Sequence, residues 1–265
     1  MVELKTIGEH LEDLRRAIFR MIMAVGIVTF FILGFHLVPF VYDGVTFYYP
    51  TLEPFNNIAS QVTVLMKHQL LPPTVQLIQT APGQAFFAQF YIAVLLGIVF
   101  AMPVIVKEFI GFLSPAFNKD EIKIIRSITA PAVGLFIVGC LFSYFVITPY
   151  ILDFLYKYGQ SAELLTFLNV IDFITFVLQF LLAFGIAFQL PLIMYAVSAS
   201  GLTDTKFWRR NMRYAIIVLV ILGAAIAPDG SGITMCFVAA PMIALYLIGM
   251  IFAERQAKHI ATLKS

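Results

Sequence analysis

Charge is what this sequence has least of. Only 12% of its 265 residues are Asp, Glu, Lys or Arg, about half the share in an ordinary soluble chain. Hydrophobic residues make up 61% and the mean hydropathy is +0.93, which excludes a soluble domain behind a removable leader. Cysteine is nearly absent. Cys140 and Cys236 both fall in apolar segments, without a CxxC or ligand spacing, so they read as small buried hydrophobes rather than a disulfide or metal pair. No His/Cys/Asp/Glu cluster has metal-ligand spacing, and there is no Ser-His-Asp candidate or phosphate-cradling glycine loop. No cofactor, no nucleic acid and no enzymatic reaction is therefore expected. Internal repeats, heptads and low-complexity tracts are also missing. A cleavable leader is not predicted either: MVELKTIGEHLEDLRR carries four carboxylates, and His36, Pro39 and Phe40 stand where a small-residue cleavage site would follow the first apolar run.

What the sequence has is phenylalanine, 27 of them, and long apolar runs. Six runs are candidate spans: 21–38, 85–106, 127–152, 173–199, 214–227 and 233–253. They predict an all-α polytopic membrane protein, a single integral membrane domain over 1–265. An inner N-terminal helix covers 3–20, an outer cap loop 39–84 and an inner loop 107–126. At 1.5 Å per residue the first run is about 27 Å long, close to the ~30 Å hydrocarbon thickness. The third and fourth are longer and must tilt or kink, with Pro131, Pro149 and Pro191 as kink or end points. The fifth is only about 21 Å and meets the sixth through a tight APDGSG turn, which predicts a short hairpin.

All but Lys67 and Lys157 of the 17 Lys and Arg lie in the N-terminal segment, the connections after spans two and four, or the tail. That asymmetry predicts an N-in, C-in orientation with six spans. Between spans one and two, Pro54–Leu70 reads as an amphipathic helix ended by Pro72-Pro73, lying on the outer face.

Two groups of polar residues carry the chemistry. Within the spans, Gln189 in AFGIAFQLPL either makes an interhelical hydrogen bond worth ~0.6–2 kcal/mol or faces a cavity; taken alone, the hydrogen bond is favoured. At the inner face, Glu9, Glu12, Asp13 and Glu121 are acids among many basic residues. Local pairing explains Glu12 and Asp13 simply, since Glu12–Arg16 is an i,i+4 and Asp13–Arg16 an i,i+3 contact. Glu121 beside Lys119 and Lys123 reads as a solvated loop charge. These carboxylates also suit a ligand carrying paired guanidiniums, each bidentate contact adding ~1.5–3 kcal/mol when partly dry. Arg15-Arg16 before an apolar run is itself the pattern of an exported protein's address signal, but six spans exclude that role here.

Several motifs in order make the chain recognisable. HLEDLRRAI at 10–18, APGQAFFAQFYIAVLLGIVFAMPVIVKEFIGFLSPAFNKDEIK at 81–123, AFGIAFQLPLIMYAVSASGLT at 183–203 and IAPDGSGITMCFVAAPMIALYLIG at 226–249 resemble the TatC family, the multispanning receptor subunit of the twin-arginine protein translocase. The resemblance covers nearly the whole chain. It implies kinked helices forming a concave surface that binds the twin-arginine signal peptides of folded cargo. It also implies assembly with single-span TatA/TatB-type subunits, as a homo-oligomer within the complex, driven by the proton-motive force. The setting would be a prokaryotic cytoplasmic membrane with both termini inside.

Carried over by position, Asp13 and Glu121 would hold the signal's arginines, with Glu12 as a neighbour able to substitute. Leu14 and Arg15 would support the first helix, and Phe112 and Pro115 would shape the inner loop. Pro50 matches a proline of the first outer loop loosely, and Asp229 falls on the aspartate of the PD turn. Gln189, Asp229 and Gln84 are the intramembrane polar, partner-binding set. Three positions depart from the family's usual residues. Asp13 replaces Glu, Gln84 stands where Glu is common, and Gln189 stands where Glu or Gln occurs, which removes a titrating group. The runner-up reading is a small secondary transporter or channel with Gln189, Asp229 and Gln179 along its pathway. Such proteins show repeats and paired broken helices, and this sequence has neither. A third is a scaffold subunit without a ligand of its own.

Overall fold

A computed structural model of the chain describes residues 7–43, 45–73, 75–113, 129–161, 166–199, 203, 206–227 and 232–264. The described elements are α1 (Ile7–Gly34), β1 (Phe35–Tyr42), β2 (Val45–Leu52), α2 (Ile58–Leu70), β3 (Gln76–Ile78) and α3 (Gln84–Leu113). They continue with α4 (Thr129–Phe142), a π-helical turn (Ser143–Ile147), α5 (Thr148–Ser161), β4 (Phe167–Asn169), α6 (Val170–Ala187), α7 (Leu190–Ala199), α8 (Phe207–Arg210), α9 (Met212–Ile226) and α10 (Gly232–Lys264). Among the described residues five helical stretches are long and apolar enough to cross a membrane, and α9 is a shorter apolar helix. Even the best-covered stretch buries only 44% of its most apolar window, and α1 only 17%. Apolar side chains therefore point outward on every long helix, the inverse of a soluble fold and what a hydrocarbon surround requires.

The first span differs from its expected course. The inner helix and the span are one continuous α1, which stops at Gly34 rather than 38. Residues 35–52 then form an antiparallel hairpin, pairing Tyr42 with Val45 and Phe35 with Leu52. At its tip Asp43 has φ 51°. An Asp-Gly pair between apolar runs is a strong two-residue hairpin signal, overridden in the sequence reading by the apolar run's continuity through Val38.

The chain forms two compact units. One comprises 21–101 and 148–178. Here Gly97 lets α3 approach α1 closely: a Cβ there would meet Thr29 Oγ1 at 2.5 Å and the Val25 carbonyl at 3.0 Å. The Thr29 hydroxyl donates to the Ala93 carbonyl, 3.4 Å away. α2 starts where the Asn57 side chain accepts from Ser60 N–H at 2.9 Å. The same buried amide donates to the Pro54 carbonyl and to Gln89, which fixes α2 against α3. Ala59, Ala88, Ile92, Phe173, Ile174 and Val177 form its core.

The other unit comprises 1–20, 102–147 and 179–265. Its core is Phe136, Phe180, Phe184, Met194, Val238 and Met242. The chain breaks between α6 and α7 at Phe188-Gln189, just before Pro191, as the proline predicts. Proline alone does not dictate a break: Pro103 and Pro241 sit inside continuous helices. At Gly249 a Cβ would meet Pro191 Cα at 2.8 Å, so α10 packs directly against α7. Gly223 likewise brings α9 close to α10, with Ala239 Cβ at 3.1 Å from where a Cβ would stand. Small residues at such crossings replace the hydrophobic effect, which lipid does not supply between helices.

Candidate functional site

The site begins on α1. Asp13, Ala17 and Arg20 lie at i, i+4 and i+7 and so share one face of the helix. Ala17 is buried at 6% exposure, so that face is the packed one. Arg20 donates from Nη1 to Glu108 of α3 at 3.3 Å, and the Glu108 side chain is only 17% exposed. This pair ties α1 to the last turns of α3, one turn before Phe112. Asp13 and Phe112 are both half-buried and both engaged in contacts of their own. Glu12 lies on the exposed side, ion-paired with Arg16, and Arg15 is exposed beside it. Leu14 is half-buried next to the packed face. Pro115 and Glu121 belong to residues 114–128, outside the described residues, as does Asp229.

Sequence reasoning missed Glu108. The available signal was the one carboxylate of a mostly apolar 30-residue helix, standing near its C-terminal end, where acid is unfavourable unless paired. It also missed the packing around Trp208, the chain's one tryptophan. Trp208 Nε1 donates to Ser198 Oγ at 2.9 Å, and Tyr246 Oη donates to the Trp208 carbonyl at 2.8 Å. Next to it, Arg209 grips Glu254 bidentately at 2.8 and 2.9 Å. The hydrogen bond and charge of Glu254 hold the Arg209 guanidinium above its ordinary pKa. Together these contacts fasten the basic connection after α7 onto α10.

The intramembrane polar residues separate. Gln189 Nε2 donates to the Ala132 carbonyl at 3.1 Å, a side-chain-to-backbone bond from the α6–α7 break to α4. Gln84 Oε1 accepts from Thr80 N–H at 2.9 Å and Ala81 N–H at 3.3 Å, capping the turn that opens α3. A glutamate there would accept the same bonds, so the departure loses no acceptor. Gln179 is exposed on α6. Among the described residues no group of His, Cys, Asp and Glu could hold a metal ion.

A family model for the Sec-independent protein translocase protein TatC matches residues 9–241. The chain belongs to the TatC family. A TatC from Cenarchaeum symbiosum is 59% identical over 251 residues, 95% of each chain, and one from Aquifex aeolicus is 31% identical over 258 residues, 95% of this chain and 97% of its own. A crystal structure of the twin-arginine translocase receptor TatC superposes with a TM-score of 0.73 at 27% identity, covering 93% of this chain and 99% of that one. A second, in DDM, gives 0.76 at 28% identity over 92% and 99%. This TatC-family chain is thus a multi-pass membrane protein and a protein-translocase component that works in a complex with other subunits. The helical membrane fold, with its shortened fifth helix, agrees with the sequence expectation.

Proposed function

We propose that this chain is the receptor of the twin-arginine translocase: it binds twin-arginine signal peptides on the cytoplasmic face of a prokaryotic cell membrane, with both termini inside. The observation that carries this is the Arg20–Glu108 pair, which holds the Asp13 face of α1 beside the end of α3. Glu121 follows the end of α3 by eight residues in the sequence and is the second acid of the proposed site. Asp13 and Glu121 accept the signal's two guanidiniums. Glu12, engaged with Arg16, supplies background negative charge rather than a contact. Leu14 and Arg15 seat the helix, while Phe112 and Pro115 give the signal's apolar part a surface. Gln189 and Asp229 serve the spans of TatA/TatB-type partners, and translocation draws on the proton-motive force. A titrating group at position 189 is not needed for binding, because the amide still polarises its surroundings.

Each guanidinium contact contributes ~1.5–3 kcal/mol, so losing one lowers affinity roughly 10- to 150-fold. Photo-crosslinking of an Arg-Arg signal peptide is expected to disappear in Asp13→Lys and in Glu121→Lys, and to be weak in the wild type when the signal carries Lys-Lys. Undiminished crosslinking in both variants would overturn the assignment.

A further inference from the structure

Beyond its base, where β1 meets α2, the β1–β2 hairpin packs against no other element among the described residues. We propose that it is an interfacial anchor, lying in the headgroup layer of the outer leaflet with both faces in contact with lipid. This rests on the chain's membrane-spanning character and on the N-in orientation proposed above, and not on signal binding.

Four observations converge. First, composition: Phe35–Leu52 carries Phe35, Phe40, Tyr42, Phe47, Tyr48 and Tyr49, and Asp43 at the tip is its only acid, with no Lys or Arg. The three tyrosines are rings with one polar end, which the membrane–water boundary favours, and the three phenylalanines add apolar area beside them. Second, both faces are open over the outer part of the hairpin, while Phe35–Val38 at its base are half-buried. The register places Phe40, Tyr42, Phe47 and Tyr49 on one face and Val41, Tyr48 and Leu52 on the other, and all are exposed. An isolated two-stranded hairpin is marginal in water, and a second protein surface would cover one face and leave the other wet. A lipid layer covers both.

Third, continuity. β1 begins at the residue after Gly34, where α1 ends, and Phe30 and Phe31 are exposed on the last turns of that span. The hairpin therefore starts at the membrane boundary. Its base is pinned there: Glu53 N–H donates to the Gly34 carbonyl at 3.1 Å, and the Gln61 amide both accepts from Leu37 N–H (3.1 Å) and donates to its carbonyl (2.9 Å). Fourth, the edges. The outward backbone groups of two strands have no ladder partner, which the hydrocarbon core does not tolerate but the hydrated interface does. Pro39 and Pro50 each remove a donor, which discourages edge pairing with a second copy.

The test uses the full chain in proteoliposomes. Cys140→Ala and Cys236→Ala clear the background, and Phe47→Cys or Tyr48→Cys places an environment-sensitive fluorophore on either face. Both labels are expected to resist aqueous iodide several-fold better than the free dye adduct. Nitroxides near the lipid headgroup should quench them more than nitroxides at the chain end. Iodide quenching like the free adduct, shielding of one face only, or shielding lost when the protein is diluted into excess lipid would each overturn the proposal. The last two would point to a protein partner. Should a labelled variant fail to fold, Tyr49→Cys and Thr46→Cys report on the same two faces.

Discussion

Arg20 holds Glu108 at 3.3 Å, but the two ends of the bond are unequal: the Arg20 side chain is 61% exposed and Glu108 17%. The shielded carboxylate depends on its partner, while the arginine can turn to water. Exposed pairs contribute about 0.2–1 kcal/mol, and stranding a mostly shielded charge costs more. Glu108→Arg is therefore expected to weaken signal crosslinking and to lower thermal stability, and Arg20→Glu alone to do the same. The double reversal should recover most of the loss, giving a coupling of about 0.5–3 kcal/mol in a double-mutant cycle. Additive losses would mean that the pair does not position α1. The acids of the site were legible in the sequence as residue types. Which of them faced α3 was not, because neighbours on a helix differ by 100° and only packing says which direction is inward. The buried Ala17 settles it for Asp13.

Besides the large buried side chains, glycines set how closely some elements approach. Gly97 has no room for a Cβ, whereas nothing lies within 4 Å of one at Gly26 on α1. Gly97→Val should destabilise the folded protein by about 1–3 kcal/mol through overpacking, read as a lower midpoint in detergent thermal unfolding, while Gly26→Ala should be neutral or slightly stabilising. A second element-scale contrast lies in the prolines. Pro191 coincides with the α6–α7 break, but Pro103 and Pro241 do not interrupt their helices. A proline removes one backbone bond wherever it stands. At the α6–α7 break the backbone bonds tighten instead of vanishing: Gln189 N–H donates to the Ile186 carbonyl and Ile193 N–H to the Gln189 carbonyl, both at 2.9 Å. The hairpin of β1 and β2 shows the opposite failure: its YDGV signal was present, but the apolar run masked it, since periodicity cannot separate a buried strand from the end of a span.

At the scale of the molecule, α9 sets a length constraint. Its 15 residues make about 22 Å of helix, short of the ~30 Å core. Neighbouring helices tilt or the bilayer thins there, at a cost of fractions of a kcal/mol per Å. Thermal stability in reconstituted bilayers of graded acyl-chain length is expected to peak in lipids thinner than those preferred by a variant with one helical turn inserted after Leu219. An unchanged optimum would show that α9 does not sense thickness.

Taken by itself, the sequence determined that the chain crosses a membrane several times, that one crossing is short, and that acids stand near the basic segments. Hydrophobic run lengths and charge counts encode those properties locally. Only the tertiary structure decided that Glu108 braces the first helix, that Asp13 lies on the packed face while Glu12 lies off it, and that a hairpin grows from the end of the first span. Those outcomes depend on which helix passes which and at what distance, and no stretch of sequence carries that alone.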